Sequence, residues 1–299
     1  MAHAGRTATV SQASPVSPSE VQRLGKEYDN RARVPDHAQI FQRWDTGAAR
    51  ARSTMICYLD REYGSAPGEK LDIFPARKGD GSAMMFIHGG YWRSMDKRDF
   101  SFLAPVLVDA GISLIAVNHD LAPLASIEQI VSQMLRASSW LYRHVEQYGM
   151  DEERLYVAGH SSGAHLAAMM MAAIWPIYEP DLPKNLFKGG LALSGLYDLR
   201  PLVGLANLQN DLRLDEEGAL KVSPAYLPPA TRAPVFTSVG ELESPEFKRQ
   251  NSLLAQRWKS LVAENLPAPG LNHFTILDAL ADRDSAIFAG TRRLMKLDR

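Results

Sequence analysis

With 299 residues, of which 45% are hydrophobic and 22% charged, the chain has the composition of a globular protein and not that of a disordered one. The formal net charge is −1, so the chain has no excess of positive charge that would indicate binding to nucleic acid or to an anionic membrane surface. We therefore expect neither as a partner. Any other partner, such as a small molecule, must be inferred from a binding site and not from the charge.

The cysteine content and the lengths of the apolar runs exclude further classes of protein. Cys57 is the only cysteine, which excludes an internal disulfide, and no Cys/His cluster has the spacing of a zinc site. The first residues lack the apolar core of a signal peptide, and no apolar run approaches the ~20 residues needed to cross a bilayer. The sequence thus predicts a cytoplasmic protein with neither metal nor cofactor, and it leaves self-association open.

The amino-terminal part differs in character from the rest of the chain. Residues 1–18 are polar and interrupted by proline, which is typical of a flexible tail. Residues 19–299 are expected to form one domain, and residues 19–52 are predicted to be a cover segment that begins with a charged helix over 19–33. A second candidate for a cover is 175–188.

From residue 55 onward, short apolar runs alternate with amphipathic helical patterns. Strands are predicted at 55–63, 70–76, 83–87, 112–117, 155–158, 190–193 and 235–239. Helices are predicted at 100–110, 126–148, 162–174, 245–262 and 285–297. This alternation implies a mostly parallel central sheet flanked by helices on both faces.

The strongest chemical signal is the pentapeptide GHSSG at residues 159–163, between a predicted strand and a predicted helix. This context is typical of a nucleophile elbow, in which Ser161 projects from a sharp turn and flanking glycines let the backbone pass closely. The alternative for Ser161 is an ordinary helix N-cap. The position of a second glycine motif, one strand earlier in the sheet, favours the catalytic interpretation.

That second motif is the sequence HGGYW at residues 88–92, which we call the glycine loop; it directly follows the strand at 83–87. Acyl transfer develops negative charge on the carbonyl oxygen, and pre-aimed backbone N–H groups stabilise it. Gly89 and Gly90, together with Ser162 after the nucleophile, are the expected donors of an oxyanion hole. A plain β-turn would explain the glycines but not their place in the chain.

A serine nucleophile needs a base, and the base needs a carboxylate that orients it. Two histidines lie downstream of Ser161. His165 is only one helical turn away, where it could bond locally, so His273, in a loop after a strand, is the expected base. The loop after the strand at 235–239 offers Glu241, Glu243 and Glu246. Glu246 falls at the start of the following helix, where a favourable interaction with the helix dipole is a sufficient reason for its presence. The spacing does not decide whether Glu241 or Glu243 is the acid.

Several neighbouring residues are assigned supporting roles. His160, His165 and His119 are interpreted as structural, and Asp198 as a turn residue or a partner of an arginine. Tyr91, Trp92 and Tyr197, with Trp44, are predicted to line an aromatic pocket for the substrate.

Together these motifs resemble the kynurenine formamidase (arylformamidase) branch of the α/β-hydrolases, near the hormone-sensitive-lipase-like esterases. The resemblance runs from about residue 27 to the carboxyl terminus. It rests on EYDNR at 27–31, the glycine loop, GHSSGAH at 159–165, ESPEF at 243–247 and HF at 273–274. It implies the α/β-hydrolase fold with a small cover, and it places the acid at Glu243. Ser162 departs from the family, in which alanine usually follows the nucleophile.

The resemblance implies a serine hydrolase that cleaves an aryl formamide similar to N-formylkynurenine, or a small ester. The nearer alternative is a general short-acyl carboxylesterase. A non-catalytic binding protein would have lost part of the Ser–His–carboxylate set, and all three are present here. A dinucleotide-dependent dehydrogenase is disfavoured because no GxGxxG follows a predicted strand.

Overall fold

The computed structural model describes residues 17–297. Within them the centre of the molecule is a sheet of eight strands: β1 (Tyr58–Glu62), β2 (Lys70–Phe74), β3 (Ala83–Ile87), β4 (Ser113–Val117), β5 (Leu155–His160), β6 (Gly190–Leu193), β7 (Val235–Ser238) and β8 (Val262–Asn265). The strand order is β1-β2-β4-β3-β5-β6-β7-β8. Strands β3 to β8 run parallel, and β1 and β2 form an antiparallel edge.

The α-helices lie on both faces of the sheet and at its carboxyl edge. They are α1 (Pro18–Glu27), α2 (Asn30–Arg33), α3 (His37–Thr54), α4 (Ala104–Asp109), α5 (Ile127–His144), α6 (Ser162–Ala172), α7 (Trp175–Tyr178), α8 (Ala206–Leu212), α9 (Glu216–Lys221), α10 (Pro245–Arg257), α11 (Thr275–Leu280) and α12 (Ala286–Leu294). Short 3₁₀ turns occupy Lys97–Leu103, Val145–Tyr148, Glu152–Arg154, Arg200–Leu202 and Pro224–Tyr226.

The burial of the central strands explains their composition. Every residue of β3 to β7 is buried, because helices cover both faces of a parallel sheet and leave no solvated side. The buried apolar side chains form two clusters. Since parallel strands end at the same edge, the loops after β3, β5, β6 and β7 meet there.

The main differences from the predicted elements have local causes. The helix expected over 19–33 is divided into α1 and α2, because the Asp29 carboxylate accepts the N–H of Ala32 and begins a new helix. The helix expected over 245–262 ends at Arg257, and β8 follows it. β8 is half-exposed and contains Glu264 and Asn265, so it lacks the apolar run that marks the inner strands.

The amino-terminal predictions fall partly beyond the described residues. Residues 1–16 of the expected tail lie outside them, whereas Ser17 and Pro18 belong to the start of α1, with the Ser17 hydroxyl accepting the N–H of Glu20. The candidate cover at 175–188 lies at the end of α6 opposite Ser161. No described helix, from residue 17 to 297, has the length and apolar character needed to cross a membrane.

Candidate active site

Ser161 occupies the sharp turn between β5 and α6. Its backbone has φ 57° and ψ −122°, a conformation that a non-glycine residue rarely adopts. The turn is possible because α6 begins very close to β3: a Cβ added to Gly163 would lie 2.0 Å from the carbonyl oxygen of Ile87. The Ser161 N–H donates to Leu193 O at 2.9 Å, which ties the turn to β6.

The structure brings Ser161, His273 and Glu243 together in one hydrogen-bonded series. The Ser161 Oγ lies 3.1 Å from His273 Nε2, and His273 Nδ1 lies 2.7 Å from Glu243 Oε2. All three side chains are buried. With Nδ1–H donating to the carboxylate, Nε2 has its lone pair directed at the serine hydroxyl, which is the arrangement that a general base requires.

The other carboxylates of this region are engaged elsewhere. Glu241 is exposed and accepts the N–H of Gly270. Glu246 accepts from the Tyr28 hydroxyl at 2.8 Å and pairs with Arg249. Asp198 pairs with Arg200, as the sequence predicted. Of the three glutamates after β7, only Glu243 therefore contacts the imidazole.

The second oxygen of Glu243 is held by two donors. The Ser194 hydroxyl donates to Glu243 Oε1 at 2.5 Å, and the Gly240 N–H donates to the same oxygen at 2.7 Å. Ser194 is buried directly after β6, and sequence reasoning missed it. Its position at the carboxyl end of a parallel strand was the one available signal. These two bonds fix the rotamer of the carboxylate that faces His273.

Ser194→Ala is expected to lower kcat by roughly 10-fold and to leave KM nearly unchanged, because it removes a hydrogen bond to a charged group that does not touch the substrate. Ser238→Ala is the matched control. Ser238 lies one strand away, is equally buried and donates to Leu266 O at 2.9 Å, without contact to Glu243. Equal kcat losses in both variants, measured by steady-state kinetics, would contradict a specific role for Ser194.

His160 supports the loop that carries His273. Its Nε2–H donates to the backbone oxygen of His273 at 2.6 Å, and the two rings lie 4.7 Å apart. Burial, together with the neighbouring His273, lowers the pKa of His160 well below its usual value. A neutral His160 therefore maintains one tautomer and holds the loop in place.

The other buried histidines also have structural partners. His165 accepts from the Trp92 indole N–H at 3.2 Å and donates to Val222 O at 2.6 Å, while burial lowers its pKa to about 4. The ring of His88, the first residue of the glycine loop, stacks on the ring of His119 with centroids 4.6 Å apart. In residues 17–297 no group of three or more His, Cys, Asp or Glu side chains has the arrangement of a metal site.

The glycine loop lies against the elbow. A Cβ added to Gly89 would be 3.1 Å from the Ser161 Cβ, so only glycine allows this approach without displacement. The Ser162 hydroxyl accepts the N–H of Trp92 at 3.3 Å and so connects the elbow to the loop. Within the described part of the chain, the N–H groups of Gly89, Gly90 and Ser162 donate to no protein acceptor.

A cavity of about 340 Å³ opens over Ser161 and His273. Residues between positions 28 and 44 supply one side of it, the glycine loop and the turn after it supply another, and α8 supplies part of the rim. Its aromatic lining consists of Tyr28, Phe41, Trp44, Tyr91, Phe100 and Phe274. Charged side chains stand among these rings: Asp29, Arg31, Arg93 and Asp211.

Of the residues predicted to line a substrate pocket, Tyr91 and Trp44 line this cavity, whereas Trp92 and Tyr197 do not. Both are fully buried. Trp92 turns inward to pack on His165, with ring centroids 5.0 Å apart, and Tyr197 lies in the core. Asn207 and Asp211 of α8 line the cavity instead, and no pattern in the sequence indicated them.

The comparisons with known proteins agree with this architecture. The chain is 32% identical to the kynurenine formamidase of Salmo salar and 32% identical to that of Danio rerio, over 84% of this chain and 85% of each relative. The chain belongs to the kynurenine formamidase family. A further family model, BD-FAE, matches residues 71–174 of this family member.

Solved structures place this kynurenine formamidase family member among the α/β-hydrolases. A candidate thioesterase from Silicibacter sp. tm1040 superimposes with a TM-score of 0.79 at 28% identity, over 89% of this chain and 97% of that one. The hyperthermophilic esterase of Pyrobaculum calidifontis has the same fold, with a TM-score of 0.67 at 18% identity over 95% and 99% of the two chains. The predictions of an α/β-hydrolase fold, of a hydrolase and of this family are confirmed.

Proposed function

We propose that this hydrolase cleaves an aryl formamide similar to N-formylkynurenine through a formyl-enzyme intermediate on Ser161. The observation that carries the proposal is the hydrogen-bonded series from Ser161 through His273 to Glu243 at the base of an aromatic cavity. The kynurenine formamidase relatives supply the substrate class.

In the first half of the reaction, the Ser161 Oγ attacks the formyl carbon while His273 Nε2 takes the hydroxyl proton. Glu243 stabilises the imidazolium that forms. The carbonyl oxygen becomes an oxyanion bound by the N–H groups of Gly89, Gly90 and Ser162. Collapse of this intermediate breaks the C–N bond, and His273 passes its proton to the departing aryl amine.

In the second half, water attacks the formyl ester of Ser161 and gives its proton to His273 Nε2. Breaking the C–O bond returns the same proton to the serine oxygen and releases formic acid, which loses its own proton to water and becomes formate. Only one imidazole is needed for both halves, since it acts as base and then as acid in each.

The second candidate function is a short-acyl carboxylesterase, which the structural likeness to esterases favours. Both functions would use the same three side chains, so a substrate comparison has to separate them. We expect kcat/KM for N-formyl-L-kynurenine to exceed that for p-nitrophenyl acetate on one enzyme preparation. A ratio far below one, with the acetate turned over, would move the function to a general esterase.

We further propose that residues 19–52 act as the cover of the site. The junction between α1 and α2 contributes Tyr28 and Asp29 to the cavity, and α3 contributes Phe41 and Trp44. Trp44 is anchored by donating its indole N–H to Asp278 at 2.6 Å. The cytoplasmic location and any self-association stay predictions from the sequence.

A further inference from the structure

The charged residues of the cavity are not equivalent, and one of them has no compensating partner. Arg93, which follows the glycine loop, donates to Asp211 at 2.5 Å and to the backbone oxygen of Asn207 at 2.6 Å. The Arg93–Asp211 pair neutralises itself and connects the glycine loop to α8. Neither charge of that pair needs a ligand.

Arg31 is the remaining cation in the cavity lining. It is exposed, and among residues 17–297 no carboxylate forms an ion pair with it. Its guanidinium carbon lies 5.8 Å from the centroid of the Phe41 ring, so the aromatic face orients the charge without neutralising it. The nearby Asp29 carboxylate is already used to cap α2 through the N–H of Ala32 at 3.1 Å.

The rings between Arg31 and the reacting atoms define where a ligand group would lie. Phe41 contacts Phe274 with centroids 4.9 Å apart, and Phe274 contacts His273 with centroids 5.4 Å apart. A substrate with its carbonyl at Ser161 would lay an aromatic group along this row. Its far end would then reach the guanidinium, whose planar fork matches a carboxylate.

We propose that Arg31 binds a carboxylate at the far end of the substrate and thereby makes the site selective for aryl compounds that carry a carboxylate. This assignment rests on the proposed function only for the identity of the group that reacts at Ser161. The preference for a carboxylate at Arg31 does not depend on that function. Arg31 is a specificity-determining residue in this assignment and takes no part in the bond-breaking steps.

The test measures competitive inhibition of p-nitrophenyl acetate hydrolysis by L-kynurenine and by its carboxamide, in which a neutral amide replaces the carboxylate. The wild-type enzyme is expected to bind the acid more tightly than the amide, and Arg31→Met is expected to weaken binding of the acid by about 10-fold. Binding of the amide should change little, and Arg31→Lys should retain part of the preference.

Arg33→Met is the matched control, because Arg33 lies on the same short helix, is exposed and does not line the cavity. Equal inhibition by acid and amide in the wild type would overturn the proposal, as would an equal loss for both in Arg31→Met. Tighter binding of the amide would instead indicate that Asp29 dominates and that the site prefers cations.

A wrong proposed function would give a different experimental result from a wrong assignment of Arg31. An enzyme that does not turn over N-formyl-L-kynurenine but hydrolyses the acetate ester would still report the discrimination between acid and amide. The charge preference of the cavity is therefore measured separately from the chemistry of the scissile bond.

Discussion

Ser161→Ala is expected to lower kcat by roughly 10⁴- to 10⁶-fold, because it removes the hydroxyl that attacks the carbonyl carbon in the proposed mechanism. The residual rate would come from the oxyanion donors and from substrate binding. The free energy of unfolding should change little, since the Ser161 hydroxyl interacts with His273 alone and alanine tolerates the turn as well as serine does. Steady-state kinetics and a denaturant titration measure the two quantities.

Ser162→Ala is the matched control for this prediction. Its hydroxyl accepts the Trp92 N–H, whereas its own N–H, which we assign to the oxyanion hole, survives the substitution. We expect a change in kcat within about 10-fold for the loss of one neutral hydrogen bond. Retained activity in Ser161→Ala, with activity lost in Ser162→Ala, would exchange the roles of the two serines.

Glu243→Gln is expected to lower kcat by roughly 10³- to 10⁴-fold. The neutral amide keeps the shape of the side chain but cannot stabilise the imidazolium that forms when His273 takes the serine proton. Its NH₂ group can also favour the wrong tautomer of the imidazole. The kcat of the purified variant, with circular dichroism to verify folding, measures the effect.

Glu241→Gln separates a catalytic role for Glu243 from a general effect of charge in this loop. Glu241 is only two residues away, is exposed and accepts the Gly270 N–H, which a glutamine oxygen can also accept. We expect kcat to stay within about 2-fold of the wild type, in line with most surface substitutions. A large loss in Glu241→Gln, with activity kept in Glu243→Gln, would reassign the acid.

Elements with unambiguous patterns were predicted to within a residue or two. The bounds of β3 and β6 are those predicted, because each is an apolar run buried on both faces. Two of the elements that differ do so for different reasons. The division between α1 and α2 follows from a local contact, the Asp29 cap on the Ala32 N–H. β8 is a half-polar strand identified only by its pairing with β7.

The residues that line the cavity were harder to predict, because their positions depend on contacts with residues distant along the chain. Trp92 and Tyr197 are aromatic and follow strands at the correct edge, yet the direction of each side chain is set by its neighbours, and both lie in the core. Asp211 reaches the rim because Arg93 binds it across 118 residues of chain. No local pattern carries that information.

The sequence by itself determined the parallel sheet, the family and the motifs that bring a serine and glycines to one edge of the sheet, since these depend on local periodicity and on residues that permit tight turns. It also singled out His273, because the one other histidine that follows Ser161, His165, lies only one helical turn after it. The resemblance to the family placed the acid at Glu243, whereas only the tertiary structure decided how Ser194 holds that carboxylate and which rings and charges line the cavity. Those relations join residues from separate strands and helices, and their distances exist only once the chain has packed.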